Sequence, residues 1–428
     1  FFNVSFRNMC IYIYICGKFY IPIPEFIMQN LIRKSNIFIR KPFFSDYRTV
    51  FGLWMLLAVI AWVMKYFHHS YNNFMIFRQT FWHALSRLSL YAEYPAEYFD
   101  HNHYGPFFTL FVAPFAFTPV WLGLLSWLLF LSFSLYVATR TLPLEKKKLI
   151  FIYWFCAHEL LTALFMSQFN IGIAAIIILS FALIEKEKDI WATLLIVIGL
   201  FIKLYGVVGL AFFFFSRHKF KFIISFIGWS VFLLILPMWV WGTDYVLNQY
   251  VEWFVRLSAK NQDNQFALMQ NISLLGMIRK ISGIATYSDL YPICAGLLLF
   301  GLPYLRIKQY QNPAFRLTLL ASVLMFVVLF STGSESSTYI IAFMGVAIWY
   351  VAAPWKRSRT DVVLMVFAFI LTSMSPSDLF PAYLRKHYIT PYALKALPCV
   401  VIWLKLVYEM CFKDYALPNY KIMNMVKE

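Results

Sequence analysis

Apolar stretches close to the length of a bilayer crossing recur along this chain, and short segments rich in Lys and Arg separate many of them. A hydrocarbon core about 30 Å thick takes about 20 apolar residues in a helix, and each span must satisfy its own backbone N–H and C=O groups. The pattern therefore predicts an all-α polytopic membrane protein. Composition supports this: 61% of residues are hydrophobic and 13% charged, with a mean hydropathy of +0.67. Soluble domains are roughly half apolar and a quarter charged. The net charge of +17 does not point to nucleic acid, because the cations lie in clusters between spans, as in cytoplasmic loops. The partner that the sequence demands is the lipid bilayer.

The same cations orient the spans. Met28 and the basic stretch after it read as a natural start, so residues 1–27 are expected to be an upstream artefact and 28–48 a cytoplasmic N-terminus. A span at 49–67 then delivers residues 68–104 to the outer face. Residues 105–139 are too long for one crossing and carry Pro106, Pro114 and Pro119. They divide into a re-entrant or surface-lying piece, 105–118, and a crossing at 120–139. Lys146, Lys147 and Lys148 mark the inside again. A hairpin at 149–184 has Gln168-Phe169-Asn170 at its outer tip, and short spans near 190–203 and 206–216 meet outside around Lys203. A second outer loop covers 242–286. The expected domain is a single bundle over 49–410 with about 10–13 crossings, followed by a cytoplasmic tail, 411–428. The six cysteines show no metal-type spacing, and most sit in apolar segments as small hydrophobes.

Chemistry concentrates in the first outer loop. Phe74, Phe77, Phe81, Leu85 and Leu88 recur at helical spacing, which predicts an amphipathic helix on the membrane surface with its aromatic face in lipid. The polar loop Tyr91–Pro106 follows, with Glu93, Glu97, Asp100, His101 and His103 among aromatic residues. Such carboxylates commonly serve solubility, but aromatic surroundings desolvate them and tune a general base. Asp100 with the H-x-H pair has metal-ligand types, yet no second ligand cluster accompanies it. No metal or cofactor is therefore expected. Lys203, at the end of an apolar span, either snorkels to the interface or holds a lipid phosphate. Gln168 and Asn170 are turn residues or bind sugar hydroxyls, and Glu335 either caps the helix after it or serves the same site. With Tyr205, all fall on the outer side, which predicts one shared site there.

These residues carry a family resemblance. The stretch 90–119, SQFN at 167–170, GLFIKLYG at 199–206, QNISLLGMIRKISG at 270–283 and the segment 334–350 stand in an order and spacing that resemble glycosyltransferase family 87. That family comprises polyprenol-phosphate-mannose-dependent mannosyltransferases of the GT-C membrane superclass. The resemblance implies a GT-C-like bundle, an inverting transfer of mannose from a polyprenyl-phosphate sugar donor, and a glycolipid or polysaccharide acceptor. The basic cytoplasmic loops suit a bacterial inner membrane, and equally an endoplasmic reticulum one, with the site on the outer face. Family members carry an aspartate after the first span as the expected base, but here Ser70-Tyr71-Asn72-Asn73-Phe74 puts Asn at that place. The base then falls to Asp100, ahead of Glu97 and Glu93. Lys203 and Arg78 become the cations for the phosphate, and His101, His103, Gln168, Asn170, Tyr205 and Glu335 the substrate contacts.

Two other classes compete. A lipid-sugar flippase or transporter predicts ionisable groups lining a path through the spans. Only Lys203, His158 and Glu159 are candidates for that. An O-antigen-type polymerase or ligase shares the large outer loops.

Overall fold

The structure, a computed structural model, describes residues 42–284 and 286–416. The segment 1–27, most of 28–48 and the end of the tail 411–428 lie outside the described residues. The chain forms two compact units, Phe1–Leu53 and Trp54–Glu428, with the boundary inside helix α1 (Tyr47–Phe67). The residues of functional interest all belong to the second. After α1 come α2 (Asn72–Leu85), α3 (Phe108–Ala116), α4 (Val120–Arg140), α5 (Lys146–Met166), α6 (Asn170–Glu185) and α7 (Asp189–Ile202). A 3₁₀ segment, Leu204–Phe215, leads to α8 (Lys219–Trp241), α9 (Thr243–Asp263), α10 (Leu274–Ser282) and α11 (Leu290–Gly301). The last helices are α12 (Pro313–Leu329), α13 (Tyr339–Ala352), α14 (Arg359–Phe367) and α15 (Leu397–Phe412).

Among the described residues there is no β-strand, and α1, α4, α5 and α8 are each long and apolar enough to cross a bilayer. Further apolar helices of 10–17 residues pack with them. The chain is an all-α polytopic membrane protein. A helix that is apolar on every side must be covered on every side, and α13 is buried at every residue. Helices α6 and α12 are nearly so. By contrast α8 has only 11% of its most apolar window buried and presents Phe220, Ile227 and Trp239 outward, as a lipid-facing helix does.

Helix α7 and the 3₁₀ segment form a tight hairpin. Lys203, between them, is extended (φ −151°, ψ 113°), which ends α7 and turns the chain back. A Cβ on Gly206 would lie 2.2 Å from the Gly199 carbonyl carbon and 2.4 Å from Leu200 N. Backbone cannot move aside as a side-chain tip does, and small residues let membrane helices approach this closely. Gly206→Ala is therefore expected to cost about 1–3 kcal/mol or more by overpacking, read as a lower melting temperature in detergent. Gly228→Ala, where a Cβ meets nothing within 4 Å, is expected to leave it unchanged or raise it.

Two expectations change. The aromatic face of α2 is covered by protein, not lipid. Phe77 packs edge-on against Tyr104 at 4.7 Å, Phe108 at 5.1 Å and Trp127 at 5.8 Å, and Phe81 lies 5.8 Å from Trp241. The helix stops at Leu85, leaving Leu85 and Leu88 exposed. An amphipathic stripe shows that one face is apolar but not which apolar phase covers it. The segment 242–286, expected as an outer loop, is mostly helical, in α9 and α10. The division of 105–139 agrees with α3, which contains Pro114, and α4.

Candidate active site

A cavity of about 280 Å³ lies where the α5–α6 tip, the α7 hairpin turn, the end of α9 and the segment 331–335 meet. Its construction starts with Ser167, in the left-handed region at φ 55°, which turns the chain so that α6 can begin at Asn170. Lys203 Nζ donates to Asn170 Oδ1 at 2.7 Å. Asn170 Nδ2 donates to Gln168 Oε1 at 2.8 Å and to Ser337 Oγ at 3.1 Å. Gln168 Nε2 donates in turn to Glu335 Oε2 at 2.9 Å. One polar chain thus joins three separate turns, and Gln168, Lys203 and Glu335 all face the cavity.

Lys203 has no carboxylate within ion-pair distance among the described residues; its bonded partner is a neutral amide. Its ammonium stands 4.9 Å from the centre of the Tyr205 ring and 6.0 Å from that of Tyr104, where aromatic faces favour a cation. Tyr205 is fixed by its hydroxyl to Ser331 Oγ at 2.7 Å. Glu335 also starts the 3₁₀ turn before α13, with its N–H donating to Thr338 Oγ1 at 3.1 Å. Glu335 thus caps this turn while its side chain also lines the cavity.

The carboxylate loop supplies the opposite wall. His103 lines the cavity, its carbonyl accepting from Trp253 Nε1 at 2.9 Å, while neither ring nitrogen has a hydrogen-bond partner. Burial, reinforced by Lys260 and Arg256, lowers its pKa below the ordinary value despite Asp100. The imidazole is therefore neutral near pH 7. Asp100 is at φ 74°, a region that Asp and Asn tolerate. Its Oδ1 accepts from His101 N at 2.8 Å, and it lies 3.8 Å from both His103 Nε2 and Lys260 Nζ. Burial alone would raise this carboxyl. His103, the His101 N–H and Lys260 outweigh burial and hold it well below the usual carboxylate range. Asp100 is ionised throughout the physiological range.

The other loop residues turn elsewhere. Glu97 pairs with buried His83 at 2.8 Å, tying the loop to α2, and burial lowers that imidazole's pKa in spite of the carboxylate. His101 hydrogen-bonds the Tyr91 carbonyl at 3.0 Å and meets exposed Glu93 at 3.2 Å. Arg78 stands over the Trp82 ring at 5.8 Å. Glu97, Glu93, His101 and Arg78 do not line the cavity, and Asp100 stands behind His103 and Lys260, which do. His101 and His103 diverge to different partners, and no three His, Cys, Asp or Glu side chains gather as a metal site among the described residues.

Asn73 donates to the Met166 carbonyl at 2.7 Å, and Asn72 both donates to and accepts from the Phe99 backbone at 2.6 and 2.8 Å. Asn73 is a fastener that uses its N–H donor, which aspartate lacks. Asn73→Asp is therefore expected to lower stability by about 1–3 kcal/mol without raising any sugar transfer. A thermal melt beside a transfer assay reads both.

A model of glycosyltransferase family 87 matches residues 102–332, more than half of the chain. The chain belongs to glycosyltransferase family 87. It is accordingly a membrane glycosyltransferase, and no curated protein matches it. The family match contains His103, Gln168, Asn170, Lys203 and Tyr205, whereas Asp100 and Glu335 stand just outside its two ends. It also contains residues that sequence reasoning missed: Trp253, Leu257, Lys260 and Asn264, all lining the cavity. Val246, Gln249 and Trp253, the buried residues of α9, begin a stripe at spacings of three and four. Continued, that stripe reaches 257, 260 and 264, a period that was there to be read.

Proposed function

We propose that this family 87 glycosyltransferase moves a sugar, mannose in the first instance, from a polyprenyl-phosphate donor to a hydroxyl of a glycolipid or polysaccharide acceptor. Lys203 carries the reading, as a cation with only a neutral partner at the wall of a sugar-sized cavity. Small-ligand pockets begin at roughly 300 Å³. The acceptor oxygen attacks the anomeric carbon as the carbon–oxygen bond to phosphate breaks. Configuration inverts, and the lipid phosphate leaves with the electron pair. Lys203 neutralises that charge, so no general acid is needed. The acceptor's proton passes to a carboxylate, which we assign to Asp100, with Glu97 and Glu93 behind it because each is engaged elsewhere. Glu335 is a second reading for the base, favoured because it lines the cavity itself. Gln168, Asn170, Tyr205 and His103 orient sugar hydroxyls. His101 and the two outlying glutamates shape the loop, and Arg78 stacks on Trp82 within α2.

We assign this site to the outer face of a bacterial inner membrane, a reading supported by the basic short loops, which collect on the cytoplasmic side. Purified protein in liposomes, given polyprenyl-phosphate with radiolabelled mannose, is expected to transfer label to membrane lipid or polysaccharide. Release of label only as free lipid-linked sugar on the opposite leaflet would support a flippase instead. Absence of transfer with mannose and with every other polyprenyl-phosphate sugar would overturn the donor assignment.

A further inference from the structure

A second cavity, about 500 Å³, opens between the loop 268–272 and residues 375–395. Apart from Leu268, Met269 and Ile272, its lining lies beyond the family match, which ends at 332, and its residues play no part in the transfer chemistry above. Three cations line it, Arg385, Lys386 and Lys395, against one carboxylate, Asp378. Arg385 is committed to the Ser377 carbonyl at 2.7 Å and to Asp378 at 3.3 Å. Lys395 is buried at the floor, bonded to Glu159 at 2.8 Å and to Ser336 Oγ at 3.0 Å. Those two cations are thereby compensated. Lys386 is exposed and has no ion pair or hydrogen bond among the described residues, so the cup keeps an unbalanced positive charge.

The other wall is apolar. Leu268 and Met269 line the cavity with more than half of their surface exposed. A cationic cup beside exposed aliphatic side chains matches a molecule that is anionic at one end and hydrocarbon at the other. We infer that this cavity binds the headgroup of a phospholipid of net negative charge, whose phosphate has no cation of its own, with Lys386 as the principal cation and Leu268 and Met269 along the upper acyl chain. Phosphate accepts charge-assisted hydrogen bonds from such cations and from the hydroxyls of Ser336 and Thr390. The two cavities share the segment in which Glu335 lines the first and Ser336 the second. Binding here is independent of the transfer reaction.

The test titrates full-length protein in detergent micelles with fluorescent phosphatidylglycerol and, separately, phosphatidylcholine carrying the same label. Wild type is expected to prefer the anionic lipid. Lys386→Glu, at an exposed position that leaves the fold intact, is expected to weaken phosphatidylglycerol about tenfold or more, as loss of one charge-assisted bond implies. Phosphatidylcholine should not respond to that change. Lys221→Glu, the same charge reversal on α8, should leave both affinities as they were. Equal affinity for the two lipids, or equal losses from the two reversals, would overturn the site. If glycerophosphate without acyl chains binds as tightly as the lipid, the cup takes a free phosphate and the lipid assignment falls.

Discussion

Lys203→Met is expected to reduce sugar transfer by about 10²–10³-fold, the usual cost of removing one fixed group that stabilises charge developing in a transition state. Nothing else at this wall offers the leaving phosphate an uncompensated cation of comparable burial. Lys260, across the cavity, is shared with Asp100 at 3.8 Å. Methionine keeps the aliphatic stem in its place between Tyr104 and Tyr205 and leaves only the Asn170 Oδ1 acceptor unmatched, because no carboxylate is bonded to Lys203. The fold should therefore survive, with a melting temperature within a few degrees of wild type. Lys203→Arg is expected to recover little, since a planar fork on a longer stem does not reproduce a point charge held at one place. A Lys203→Met protein that retains transfer within a few-fold would make Lys203 an interfacial lysine with a structural role only.

What the sequence disclosed follows a physical line. Residues at hairpin tips between apolar spans, Gln168, Asn170, Lys203 and Glu335, were legible because hydropathy and basic loops fix which tips share a face. Gln168, Lys203 and Glu335 line one cavity, and Asn170 is bonded to the first two of them. The stripe through Trp253, Lys260 and Asn264 was not seen, because a polar segment between two spans resembles a loop until its periodicity is counted. Within Tyr91–Pro106, composition showed how many acids and imidazoles lie close in sequence. It could not show that Glu97 turns to His83 and Glu93 to His101. Those pairings depend on the left-handed turn at Asp100 and on where α2 ends, which are tertiary facts. Asn73 illustrates the opposite limit: a missing acid at an expected position says nothing of the bond the amide makes instead, here to Met166.

Asp100→Asn is expected to lower transfer by about 10²–10⁴-fold, the range a positioned general base contributes. Asparagine suits the left-handed backbone at this position as well as aspartate does, and its side-chain oxygen can still accept from His101 N, so the loop should keep its shape. The pH dependence adds a second signature. The active form is the carboxylate, and its pKa in the folded protein lies below the ordinary value of 3.8. Activity on the acid side should thus stay level from about pH 8 down to about pH 5 and fall only as pH drops through the depressed value. Lys260 is among the groups that hold it down, so Lys260→Met should move that acid limb upward, towards the ordinary carboxylate range. A merely structural Lys260 would lower activity without moving the limb. Should Asp100→Asn keep its rate while Glu335→Gln loses it, the base is the carboxylate held by Gln168 at 2.9 Å. Asp100 would then be an electrostatic partner of His103 and Lys260, its strong acidity a reason why it cannot draw a proton from a hydroxyl as readily as a less stabilised carboxylate.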